Sequence, residues 1–384
     1  MIPLSVPNLT GSEWKYIKEC LDTEWVSSAG KFVDLFENKI AEYTGSKYAV
    51  ACINGTSALQ VSLRLAGVQP SDEVIVPTLT FIAPVNAVTY NNATPIFMDV
   101  NKYYNLDIDK TFDFINNETV FKKGFSYNIK SKKRISAIIP VHMWGNAVKL
   151  DELVDLCSDR NIAIIEDASE SLGTVYNKNN FKGKHTGSVG KIGCLSFNGN
   201  KIITTGGGGM ILTDNARFAE KAKYLTTQAK DDPIRYIHNE IGYNYRITNL
   251  QAALGVAQLE KLPNFLKNKK NIYDTYKNEI NKINGLSLAE VPSYSNNNHW
   301  LNLLRINSKI YSENREDLMM RLTGAKIQTR PVWHLNHLQK PYKNCQTYHI
   351  EKALDLVNNS LCIPSSTNLS KQEIKKVINN LNVK

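Results

Sequence analysis

From about Lys47 to Thr213, short apolar runs alternate with stretches of helical spacing. Residues 48–53 predict a strand, and residues 56–65 a helix whose apolar positions share one face. Further strands are expected at 74–77, 95–100, 135–141 and 162–166, with a helix at 150–160 before the last of these. Such alternation implies βαβ units and a mainly parallel sheet covered on both faces. Residues 192–197 predict another strand, and Gly206 to Gly209 punctuate the chain before a strand at 210–213. After Asn249 the pattern changes to long helices at 250–262 and 268–283, a strand-like run at 300–306, a helix at 315–322 and a C-terminal helix after Ser370. The expected architecture is a large α/β domain over 1–250 and a smaller α+β domain over 251–384. Residues 112–133, rich in Asn and Lys, predict a surface helix and loop.

The length, 384 residues, exceeds what one hydrophobic core usually organises. A hydrophobic fraction of 42% with 21% charged residues is that of a soluble globular chain, which argues against disorder. The formal net charge of +10 raises the question of a polyanionic partner. Lys-rich stretches such as 267–270 read as solvated helix faces, or as attraction for a small polyanion such as a nucleotide-linked compound. No basic block is interleaved with aromatics, so a nucleic-acid partner is not expected. Six cysteines are scattered with no CxxC pair or metal spacing, which points to a reducing compartment and no metal. The first ten residues lack a signal-peptide pattern, and no apolar run is long enough for a bilayer. A cytoplasmic protein without a membrane partner is the expectation.

Four segments follow strands, where ligands sit in open α/β sheets. Asn54-Gly55-Thr56-Ser57 opens a helix. Its N–H groups and the helix dipole suit a phosphate, or its hydroxyls serve only as caps. Glu166-Asp167-Ala168-Ser169-Glu170 follows a buried run. A carboxylate there is costly unless paired, and it can hold a protonated ring nitrogen, cap a helix or ligate a metal. No histidine lies nearby at metal spacing. Ser196-Phe197-Asn198-Gly199-Asn200-Lys201 precedes the four glycines 206–209. A lysine buried beside cationic or apolar neighbours loses its proton readily and attacks aldehydes. The glycines read as leaving room for a bound ring. A nucleotide P-loop needs the opposite order, glycines before lysine. The fourth segment, Gly242 to Asn249, puts Asn244 and Arg246 in a tyrosine-rich loop, with Thr248 or Asn249 as the cap of the next helix.

In this order the segments resemble the sugar aminotransferases of the DegT/DnrJ/EryC1/StrS family, fold-type-I pyridoxal-phosphate enzymes. The resemblance runs from Pro7 and the segment 25–30 to Cys362-Ile363-Pro364, and is most specific over Ser196 to Met210. It implies that Lys201 carries pyridoxal phosphate and later shuttles a proton, and that Asp167 pairs with the pyridine nitrogen. Phe81 matches the aromatic that stacks on the ring. Gly55, Thr56, Ser57 and Ser196 match the phosphate cradle. Asn244 matches a residue reaching the cofactor phosphate of a neighbouring subunit, which implies a homodimer with shared active sites. The segment from Thr329 and Arg330 to His337 matches a substrate region, and Ser27, Ser28, Arg330 and His337 are candidate substrate contacts. The implied reaction moves an amino group from an amino acid, L-glutamate first, to a nucleotide-linked keto sugar. Two positions depart from the common family pattern: Glu170 stands where Gln is usual beside the cofactor's phenolic oxygen, and Gly207 where Glu is usual. Both resemble the subgroup making UDP-4-amino-4,6-dideoxy-N-acetylglucosamine for bacillosamine and legionaminic acid.

Overall fold

The computed structural model describes residues 1–382. Seven strands form the body of its main sheet, in the spatial order Tyr48–Cys52, Gly209–Thr213, Ile192–Ser196, Ala163–Asp167, Arg134–Ile138, Glu73–Pro77 and Thr94–Met98. All share one direction except Gly209–Thr213, which runs against both of its neighbours. The pleat assigns alternate residues to opposite faces, and both faces are covered. Val50 and Cys52 pack into one core with Leu59 and Leu63. Ala51 enters another, with Phe36 and Val256. Val74 and Val76 likewise part from Ile75, which joins Phe114 and Ile138. This parity is why the strands read as continuous apolar runs. The mainly parallel α/β sheet flanked by helices is the expected fold class.

Leu286–Leu288, Asn302–Ile306, Ser360–Ile363 and Arg330–Pro331 form a second, antiparallel sheet. Helices Arg315–Gly324 and Lys371–Asn379 supply Leu318, Leu322, Ile374 and Val377 to its core. Ser370 caps the latter with a reciprocal bond to Glu373. Among the described residues, no helix is long and apolar enough to cross a membrane.

Two local expectations are corrected. The predicted helices at 250–262 and 268–283 are one helix, Asn249–Ile280, that continues through Pro263. Proline removes one backbone bond there. The helix is clamped on either side of it: Val256, Leu262 and Phe265 pack with Phe36 and Phe197, and Ile272, Tyr276 and Ile280 with Leu304. Residues 112–133 hold more than a helix and loop: after Ile108–Asn117 comes a hairpin of Thr119–Lys122 and Phe125–Asn128. Its two-residue turn has positive φ at Lys123 and Gly124, the conformation that matches strand twist.

Two glycines of the sheet, Gly193 and Gly209, permit no side chain, and Gly193 is the more crowded. A Cβ at Gly193 would lie 1.9 Å from the carbonyl oxygen of Gly187. Gly193→Ala is expected to destabilise the chain by about 3 kcal/mol; an unchanged urea midpoint would remove this packing argument.

Candidate active site

The strand ends at Cys52, Pro77, Asp167 and Ser196 lie at one edge of the sheet, and Gly209 starts its antiparallel strand opposite Cys52 and Ser196. A cavity of about 280 Å³ opens there. Its walls include Gly55, Thr56, Phe81, Asp167, Glu170, Ser196 and Lys201. A cavity of about 400 Å³ lined by Arg134, Cys157, Ile164 and Lys191 gathers no comparable set of groups.

The helix Gly55–Leu65 points its N-terminus at the cavity. Its cap is Asn54, whose Oδ1 accepts the N–H of buried Ser57 at 2.8 Å. Thr56 and Ser57 are therefore not the caps. A Cβ at Gly55 would come 2.9 Å from that of Ser196, so only glycine lets the helix start meet the strand end this closely. Thr80 also lines the cavity, and its buried Oγ1 has no partner among the described residues.

The adjacent acids Glu166 and Asp167 serve different neighbourhoods. The backbone N–H of Val148 donates to His142 Nδ1 at 3.0 Å, so the ring's other nitrogen carries the proton and donates to Glu166 Oε2 at 2.8 Å. Gly187, Val189 and Gly190 donate their N–H groups to the same carboxylate at 2.6–2.8 Å. Burial alone would raise the Glu166 carboxyl, but these donors outweigh it and hold it below the usual range. Glu166 is thus fully engaged inside the fold, while Asp167 lines the cavity and accepts only a local bond from Ser169 N–H at 3.0 Å.

Lys201 sits in a loop closed by the Thr205 N–H on Phe197 O and the Phe197 N–H on Gly208 O. Its Nζ lies 3.7 Å from Glu170 Oε1 and 4.2 Å from the centre of the Trp300 ring. Trp300 is buried and donates its indole N–H to Asn200 O at 2.7 Å, tying the loop down. Its own carbonyl accepts from buried Lys269 at 2.8 Å. Glu170 Oε2 accepts the N–H of Trp144 at 2.8 Å, and Trp144 holds a left-handed backbone, φ 51°. The Trp144 ring stacks on Trp333 at 4.9 Å, and Trp333 meets Phe81 edge-on at 5.9 Å, which completes an aromatic wall. Burial pushes the Glu170 carboxyl up to about 7, against the opposing pull of Lys201 and the Trp144 N–H.

Not every sequence candidate reaches this cavity. None of Gly206 to Gly209 lines it. Two of the glycines are required by the loop itself: Gly206 has φ +78°, and a Cβ at Gly208 would strike Thr205 Oγ1. Asn244 is exposed and accepts two bonds from Arg246. Ser27 and Ser28 lie on the N-terminal segment, where Ser27 O accepts the Asn249 N–H. Arg330 is exposed, and half-buried His337 is hydrogen-bonded through Nδ1 to Thr78 at 2.6 Å. Trp300, Trp333 and Thr80 line the cavity without having been singled out. Trp333 falls inside the quoted 329–337 segment; nothing local in the sequence marks Trp300 or Thr80.

A family description, the DegT/DnrJ/EryC1/StrS aminotransferase family, matches residues 7–382. The chain is 37% identical to the GDP-perosamine synthase of Escherichia coli O157:H7, over 99% of this chain and 98% of that one. It is 29% identical to the UDP-4-amino-4,6-dideoxy-N-acetyl-beta-L-altrosamine transaminase of Campylobacter jejuni serotype O:23/36, over 88% and 86% of the two chains. Among solved structures, DesI with its TDP-sugar product superposes with a TM-score of 0.87 at 25% identity, covering 99% of this chain and 92% of that one. These relatives span more than one nucleotide, so they do not single out the UDP subgroup. With the match running almost from end to end, the chain belongs to the DegT/DnrJ/EryC1/StrS aminotransferase family.

Proposed function

We propose that this pyridoxal-phosphate-dependent nucleotide-sugar aminotransferase moves the amino group of an amino acid, L-glutamate first, to C4 of a nucleotide-linked 4-keto-6-deoxy sugar. One observation carries the reading: a lysine amine, a buried carboxyl and a helix N-terminus open on the same small cavity. The residues fit the cofactor. Gly55 leaves room at the helix start, Thr80 Oγ1 is a buried hydroxyl lacking a partner among the described residues, and Phe81 gives an aromatic face at the mouth. When bound, pyridoxal phosphate supplies an aldehyde for the amine and a cationic ring that spreads the charge left by proton removal.

The chain supplies the rest. Lys201 would hold the cofactor and, once displaced, its amine would be placed to move a proton between the two carbons that flank the transferred nitrogen. Asp167 keeps the ring nitrogen charged. Gly55, Thr56, Ser57 and Ser196 surround the phosphate, where the helix dipole favours an anion. The exposed position of Asn244, outside its own cavity, supports its reaching the site of a second copy in a homodimer. Arg330, His337, Ser27 and Ser28 are assigned to the nucleotide sugar.

The finer reading is a UDP-linked 2-acetamido-2,6-dideoxy-hexos-4-ulose, supported by Glu170 and Gly207. The relatives favour a second reading, a GDP-linked sugar, because the full-length match at 37% identity is a GDP-perosamine synthase. A panel of UDP-, GDP- and dTDP-linked 4-keto-6-deoxy sugars with nitrogen-labelled glutamate decides between them. Label is expected in one sugar product by mass. Label in none, across several amino donors, would overturn the proposal.

A further inference from the structure

We infer that Glu170 is the proton acceptor of Lys201: its carboxylate takes the ammonium proton so that the lysine attacks as a free amine. The inference deepens the proposed function and rests on its assignment of Lys201.

The geometry leaves Glu170 little other use. One carboxyl oxygen is held by the Trp144 N–H at 2.8 Å, and the other lies 3.7 Å from Lys201 Nζ. The residue's backbone is pinned as well, its carbonyl accepting from Asn298 Nδ2 at 2.8 Å. Trp300, itself buried, covers the amine from another side. Glu170 is 5% exposed, and its carboxylate is the acidic group nearest the amine.

The charges around the pair suit the transfer. Asp167 stands nearby and disfavours a second negative charge, and Cys362 of the C-terminal sheet is buried and neutral. Burial places the Glu170 carboxyl at about 7, so it exchanges protons at neutral pH, unlike Glu166, whose donors hold it below the usual range. The step is balanced: the lysine N–H bond breaks, a carboxyl O–H bond forms, and the pair goes from ammonium and carboxylate to amine and acid. The reverse transfer reprotonates Lys201. A proton acceptor of this kind works best when its pKa lies near the working pH.

The test is capture of pyridoxal phosphate by apoprotein, followed by absorbance in a pH series, with no sugar or amino donor present. Below about pH 7 Glu170 is protonated and cannot accept, so the wild-type capture rate is expected to rise as pH passes through neutrality. Glu170→Gln keeps the side chain's size and an oxygen for the Trp144 N–H. It is expected to lose this rise and to shift the inflection upward by more than about one pH unit. An unchanged profile in E170Q would overturn the inference. Should E170Q not fold, Glu170→Asp replaces it. A retained neutral-pH rise at a lower rate then supports the role, and a rise displaced like that expected for Gln opposes it. Borohydride reduction and peptide mapping separate the two levels of argument. A label away from Lys201 defeats the proposed function, whereas a label on Lys201 with an unchanged profile defeats only the role of Glu170.

Discussion

Lys201→Ala is expected to abolish turnover, with a loss of roughly 10⁴-fold or more, and to leave no cofactor that borohydride can fix to the chain. Two functions disappear with one amine. The first is the covalent hold on the cofactor: among the described residues, Lys201 is the one lysine lining the cavity. The second is the proton transfer that follows its release. The fold should tolerate the change, because Lys201 is partly exposed and its contacts are with Glu170 and the Trp300 ring rather than with the strands. Circular dichroism and urea unfolding check that point, while visible absorbance and labelled-glutamate turnover check the chemistry. A K201A protein that keeps a borohydride-stable cofactor would transfer the role to another lysine.

Asp167→Asn should separate binding from chemistry. The amide keeps the shape and can still accept the Ser169 N–H seen at 3.0 Å, so cofactor retention is expected to weaken only modestly. The buried negative charge is lost. Removing one member of a buried ion pair costs about 3–5 kcal/mol, and about 1.4 kcal/mol is a tenfold change in rate. Turnover should therefore fall by roughly 10²–10⁴-fold with the cofactor still attached to Lys201. Turnover within a few-fold of wild type would show that Asp167 does not pair with the ring nitrogen. The neighbouring Glu166→Gln is the natural contrast, since its carboxylate serves His142 and three backbone N–H groups inside the fold.

That contrast shows where sequence reasoning stopped. Glu166 and Asp167 are adjacent acids after one apolar run, and the bare segment offers several roles for either. The pleat turns them to opposite sides. What engages Glu166 comes from elsewhere in the chain, from His142 and from the loop Gly187 to Gly190. Glu170 was recognised as an unusual residue but had no partner until the strand ends brought Lys201 beside it. The aromatic wall is the clearest omission. Its Trp144 and Trp333 are far apart in the sequence, as is the Trp300 that covers the amine, and no periodicity joins them. Pro263 misled in the other direction: local rules end a helix there, and packing on both sides carries it through. The glycine run was tied to the right loop, but the contacts that close Gly208 and Gly209 to a side chain, Thr205 Oγ1 and the Asn54 backbone, appear only in three dimensions.

What the chain announced unaided is what short-range chemistry controls. Alternating strands and helices follow from the spacing of apolar side chains, and the order of acid, lysine and glycines along the strand ends survives any arrangement in space. Only the tertiary structure decided which carboxyl meets the amine, what shields it and which candidates stay outside the cavity. Those outcomes depend on pleat parity and on contacts between residues tens to hundreds of positions apart, and a linear pattern carries neither.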